Sequence, residues 1–92
     1  MQPYKTTAIF DQDSLPAALR RDHSTKPGVW GLIRVLEGRL LLEYGDGTPE
    51  RLLTPADPGP IAPEQPHRVE PLGPMRMQVE FYAAEPAFTA DS

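Results

Sequence analysis

Apolar residues along this chain fall in short runs, most of them closed by glycine or proline, and the spacing within the runs is that of strands. The clearest case is the stretch from Met75 to Tyr82. There Met75, Met77, Val79 and Phe81 alternate with Arg76, Gln78, Glu80 and Tyr82, so the first set is expected to face a core. Val29 to Leu36 is a second apolar run, interrupted by Gly31 and Arg34, and Leu40 to Tyr44 is a third. Glu37-Gly38-Arg39 separates these two and is short enough for a tight reversal, which predicts that they pair. Tyr4–Phe10, Arg51–Thr54, Ile61–Ala62 and His67–Pro71 complete the strand set. Gly45–Pro49, Pro55–Pro60 and Leu72-Gly73-Pro74 are the intervening turns. One short helical segment is expected after Asp13-Ser14, which offers a cap, with Pro16 in the first turn.

The pattern predicts a small all-β domain, a barrel or sandwich of about seven or eight antiparallel strands with one short N-terminal helical turn. Its 92 residues suffice for one domain and one core, spanning 1–92, with 83–92 expected to form a frayed or draped tail. Twelve prolines argue against long helices. The formal net charge of −4, without a cluster of Lys and Arg, argues against a nucleic-acid partner. No apolar run reaches membrane-spanning length and no basic, apolar leader opens the chain, so a cytoplasmic protein is expected. With no cysteine, disulfides and thiolate chemistry are excluded.

Four segments carry a resemblance. Arg21-Asp22-His23-Ser24-Thr25-Lys26-Pro27-Gly28-Val29-Trp30-Gly31, Val35-Leu36-Glu37-Gly38, Pro63 through Gly73, and Val79-Glu80-Phe81-Tyr82 stand in an order that resembles the TehB/YeaR-like cupin family. The resemblance implies a stand-alone cupin-like barrel, related to domains fused ahead of a methyltransferase and linked to tellurite or oxyanion stress. Cupins hold a metal with three His and one Glu. Against that pattern His67 falls on a ligand position and His23 lies just outside one, while Gly31 replaces the Glu and Glu64 stands where a Gly is usual.

His23 and His67, the two histidines of the chain, are therefore the candidate ligands of a divalent metal, zinc or iron, with Glu80 as candidate third ligand. The alternative is that both are solvated or hydrogen-bonded and hold no metal. Lys26 and Trp30 are candidate contacts for a small molecule or oxyanion, the ammonium as an attractor of anions and the indole as a wall. Alternation puts Val69 on the side of His67, and Arg68 and Glu70 opposite. A homodimer is a further expectation, because the outward side of the Trp30–Leu32 strand reads as apolar. No catalytic residue is identifiable, so the readings that remain are a metal-dependent enzyme, a ligand-binding module and a homodimeric structural module.

Overall fold

The structure, a computed structural model, describes residues 2–86. These residues form β1 (Lys5–Thr6), β2 (Phe10–Asp11), β3 (Trp30–Glu37), β4 (Leu40–Tyr44), β5 (Arg51–Leu53), β6 (Gly59–Ile61), β7 (His67–Pro71) and β8 (Arg76–Tyr82). A four-residue 3-10 turn, Ala17–Arg20, is the one helical element among them. The all-β expectation holds.

Two antiparallel sheets make the architecture. The larger runs β1-β8-β3-β6, with β2 also on β8, and the smaller runs β5-β4-β7. The sheets face each other without closing into one hydrogen-bonded barrel, so the fold is the sandwich, and the barrel expectation is corrected.

The predicted pairing of β3 with β4 is also corrected. β3 lies between β8 and β6 in the larger sheet, whereas β4 lies between β5 and β7 in the smaller. Glu37-Gly38-Arg39 carries the chain from one sheet to the other. Gly38 has φ +78°, and a Cβ built on it would sit on the Pro74 carbonyl oxygen. That carbonyl belongs to another of the crossings between the sheets, the turn from β7 to β8, so these two crossings pack together. Only glycine fits both the left-handed backbone and the contact.

The single strand expected over Tyr4–Phe10 is two. Lys5 pairs with Phe81 and Phe10 with Met77, a register that leaves one extra residue between them, as a bulge requires. Thr7 bridges the interruption: its amide donates to the Val79 carbonyl, and its hydroxyl accepts from the Val79 amide at 3.0 Å. The cap expected from Asp13 and Ser14 is built around Asp11. Its carboxylate accepts the amides of both residues at 2.8 Å, while Ser14 Oγ accepts the Asp11 amide. The 3-10 turn itself, preceded by Pro16, has no side-chain cap.

Leu40, Leu42 and Leu53 from the smaller sheet meet Ile33, Val35, Ile61 and Met77 from the larger, and all are buried. Each such side chain contributes about 1.5–3 kcal/mol on leaving water. The alternation read in β8 is observed, since Met75 and Met77 are buried in the core and Val79 packs against it. The opposite face of the larger sheet is not simply exposed: Leu32 and Tyr82 are buried there as well. Of the expected tail, Pro86 is buried, and 87–92 lie outside the described residues. No helix among the described residues is long and apolar enough to cross a membrane.

Gly38→Ala should cost roughly 2–4 kcal/mol in urea unfolding, the left-handed backbone penalty plus that of overpacking. Gly47→Ala, at φ +91° but with open space around its Cβ, should cost only the backbone part. Equal losses in the two variants would contradict the packed crossing.

Candidate functional site

The two histidines, 44 positions apart by the difference of their numbers, meet through the backbone. His23 donates its amide to the His67 carbonyl at 3.0 Å, and His67 donates to the His23 carbonyl at 2.9 Å. This reciprocal pair adds a single residue to the edge of the smaller sheet beyond β7. Residues exchanging both hydrogen bonds in an antiparallel pair project side chains to one face. The imidazole centroids are accordingly 4.1 Å apart, with planes tilted by 55°. Tyr44 is the β4 partner of His67, so it extends the same row, and its hydroxyl donates to the Pro60 carbonyl at 2.7 Å. Burial holds that hydroxyl's pKa above the usual phenol value.

Local sequence fixes the approach on both sides. Pro63-Glu64 forms a turn closed by the Gln65 amide donating to the Ala62 carbonyl, with Glu64 at φ +62°, the conformation a glycine would adopt with less strain. The Gln65 side chain accepts the Ala62 amide at 3.0 Å and donates to Asp46 at 3.1 Å. On the other side Arg68, projecting outward as alternation predicted, reaches Asp22 at 3.3 Å and Glu43 at 3.4 Å. Exposed pairs of this kind contribute little to stability. Their effect is to hold the segment before His23 against β7.

Each ring has one nitrogen occupied. His23 Nδ1 lies 3.0 Å from the Arg21 carbonyl and His67 Nδ1 lies 2.8 Å from the Gln65 carbonyl. A carbonyl only accepts, so Nδ1 carries the proton in both rings and a neutral ring bears its lone pair on Nε2. Neither Nε2 makes a hydrogen bond, and no side-chain nitrogen or oxygen among the described residues is sealed without a partner. Both rings line a cavity of about 390 Å³ between the sheets, and neither free nitrogen is fully buried. Burial holds the pKa of His67 below the usual imidazole value, and the neighbouring His23 ring acts in the same direction. The Gln65 carbonyl and Asp22 oppose the shift.

The cavity walls are apolar, with Ile33, Ile61, Val69, Met77 and Val79 from both sheets. Gly31 lines the cavity too, where a Cβ would crowd Ile61 Cβ at 3.3 Å. Lys5 and Lys26, both exposed, line the rim.

Of the sequence candidates, His23, His67 and Lys26 share this cavity. Glu80 does not join them. It lies on the opposite face of β8, accepting from Arg34 Nε at 3.1 Å and from the Tyr82 hydroxyl at 2.7 Å. Trp30 also lies on that outer face, paired with Tyr82 in register, so it shares no pocket with Lys26. Among the described residues no group of three His, Cys, Asp or Glu side chains converges. Two imidazoles alone do not make the three-ligand protein set of a zinc or iron centre. Lys5 was missed because β1 read as part of one longer strand; its register with Phe81 puts it on the cavity face. The Asp22–Arg68–Glu43 latch joins distant segments and leaves no periodic mark in the sequence.

Residues 5–79 match the TehB-like domain family. Two relatives from Haemophilus influenzae, of strains KW20/Rd and 10810, are each described as a probable S-adenosyl-L-methionine-dependent methyltransferase TehB. They are 39% and 38% identical over 74 residues, covering 75% of this chain and 26% of each relative. The chain thus spans about a quarter of their length. The crystal structure of TehB from Haemophilus influenzae superposes with a TM-score of 0.78 at 32% identity, over 86% of this chain and 30% of that one. A protein from E. coli strain K12 superposes with a TM-score of 0.76 at 20% identity, over 90% and 91% of the two chains. The FeII form of HppE shares the fold, with a TM-score of 0.60 at 19% identity over 80% of this chain and 40% of that one.

The depressed His67 pKa has a stability consequence. The unfolded ring, with its ordinary value near 6.5, protonates before the folded one. Stability is therefore full above pH 6.5 and falls as acid takes the pH down toward the folded value. Urea midpoints measured between pH 7.5 and 5 should fall in the parent chain, with a clearly flatter profile in His67→Gln; equal slopes would contradict a buried, neutral His67. The family match and the structural correspondence agree, and the chain belongs to the TehB-like domain family.

Proposed function

We propose that the chain is a small-molecule-binding domain whose ligand lies between the two sheets, its apolar body among Ile33, Val69, Met77 and Val79 and its polar end at the imidazole pair. The observation that carries this reading is the cavity itself. Its volume of about 390 Å³ lies within the range of small-molecule sites, roughly 300–1,000 Å³, and both imidazoles line it. The resemblance to cupins carried an expectation of a divalent metal, and the two-imidazole arrangement gives no reason to include one. The methyl transfer named for the Haemophilus relatives describes chains of which this one spans 26%.

The tellurite connection gives the binding a setting in oxyanion stress. A bare oxyanion is a poor occupant, because it would exchange its hydration for valine, isoleucine and methionine side chains. An organic molecule with an apolar body suits those walls.

Backbone-resolved NMR titration with eight-carbon amphiphiles (alcohol, acid and amine) and with tellurite tests the reading. At least one amphiphile should bind below about 1 mM, which corresponds to about −4 kcal/mol. Shifts should map to Val69, Met77, Val79 and His67. Filling the space with Gly31→Val or Val79→Phe should weaken that binding at least tenfold in whichever variant keeps a folded spectrum. No amphiphile binding, or shifts confined to the outer faces, would overturn the proposal.

A further inference from the structure

The charge lining the cavity is one-sided. Its ionisable groups of Lys or His type are Lys5, Lys26, His23 and His67, and no Asp or Glu side chain lines it. The chain as a whole carries 13 acidic against 9 Lys and Arg residues, so this distribution runs against its composition. Neither lysine forms an ion pair among the described residues. A cavity with apolar walls, cationic rim groups and no acid is complementary to an anionic amphiphile.

The hydrogen-bond pattern of the rings adds a condition. With both Nδ1 protons directed to backbone carbonyls, neutral rings present only lone pairs on Nε2. A carboxylate also presents only lone pairs, so it finds no donor there until one Nε2 takes a proton. We propose, resting on the binding reading above, that the ligand is a monocarboxylate with an apolar body, and that it enters together with one proton, which makes one imidazole of the His23–His67 pair a donor to the carboxylate. The proton comes from solvent and is returned on release; no covalent bond forms or breaks.

The surroundings favour one proton over two. Rings 4.1 Å apart repel when both are charged. Asp22 favours a proton on His67 but is shared with Arg68. Tyr44 of β4 stands next to His67 in register, with its hydroxyl turned to Pro60. The 3-10 turn packed near β7 sends Arg20 to Glu70 on the outer face. Tyr4, Lys5 and Lys26 line the remaining side, and the lysines supply long-range attraction for the anion.

Calorimetric titration of the whole chain with octanoate, 1-octanol and octylammonium, at pH 6 and pH 8 and in two buffers of different ionisation enthalpy, tests this. Octanoate should bind at least about tenfold tighter than either other probe at pH 6. It should weaken toward pH 8, by at most tenfold per pH unit for a single linked proton, with net proton uptake between zero and one. His67→Gln should remove most of the pH dependence. Lys5→Gln with Lys26→Gln should lower octanoate affinity and its salt dependence, leaving octanol unaffected. Octanol or octylammonium binding as tightly as octanoate, or octanoate binding without proton uptake, would overturn this inference and leave the cavity reading standing. Binding of none of the three would overturn the cavity reading itself.

Discussion

Two backbone hydrogen bonds, exchanged between His23 and His67, are the constraint on which the site depends. They convert a loop residue into one more rung of the smaller sheet and so determine where its side chain points. A strand pair of this kind leaves little freedom: both side chains share a face, and the face is the inner one. Without the rung, His23 belongs to a polar loop and His67 is an isolated buried ring. With it, two imidazoles line one cavity, each with its Nδ1 satisfied by a carbonyl two residues earlier in its own chain segment.

Packing differs along the sandwich in a way that makes room for this arrangement. Around Leu40, Leu42 and Leu53 the sheets interdigitate fully, and the two crossings at Gly38 and Pro74 tie that region together. Toward His67 the larger sheet contributes Gly31, and the space between the layers opens. Burying an imidazole is unfavourable for its charged form, and the Gln65 carbonyl partly compensates by accepting the Nδ1 proton. What remains facing the cavity is weakly basic and unpaired. Among the described residues no third metal-ligating side chain joins the two rings.

Much of the fold was legible in the sequence, and the reasons are local. Period-two alternation identified the inner face of β8, and apolar runs located β3 and β4. Long-range order was less legible. Glu37-Gly38-Arg39 has the composition of a hairpin, but the identity of the sheet that receives each strand depends on side chains far away, here on how closely Gly38 passes Pro74. At the site, the orientation of His67 with Val69 followed from alternation, and Glu80 was already on the far side of Met77 and Val79 by the same rule. Its ion pair with Arg34 and its hydrogen bond from Tyr82 make that placement concrete. The meeting of His23 with His67 left no periodic signal, because a one-residue rung is too short to produce one. Lys5 was hidden by the bulge that splits the first strand.

The central claim is a tautomeric and geometric one, and imidazole NMR reads both parts at once. A long-range ¹H–¹⁵N correlation spectrum at pH 7.5 should show the Nδ1-protonated tautomer at both positions, together with proton–proton contacts between the two rings. An Nε2-protonated tautomer at either position, or rings that show no mutual contact, would contradict the account.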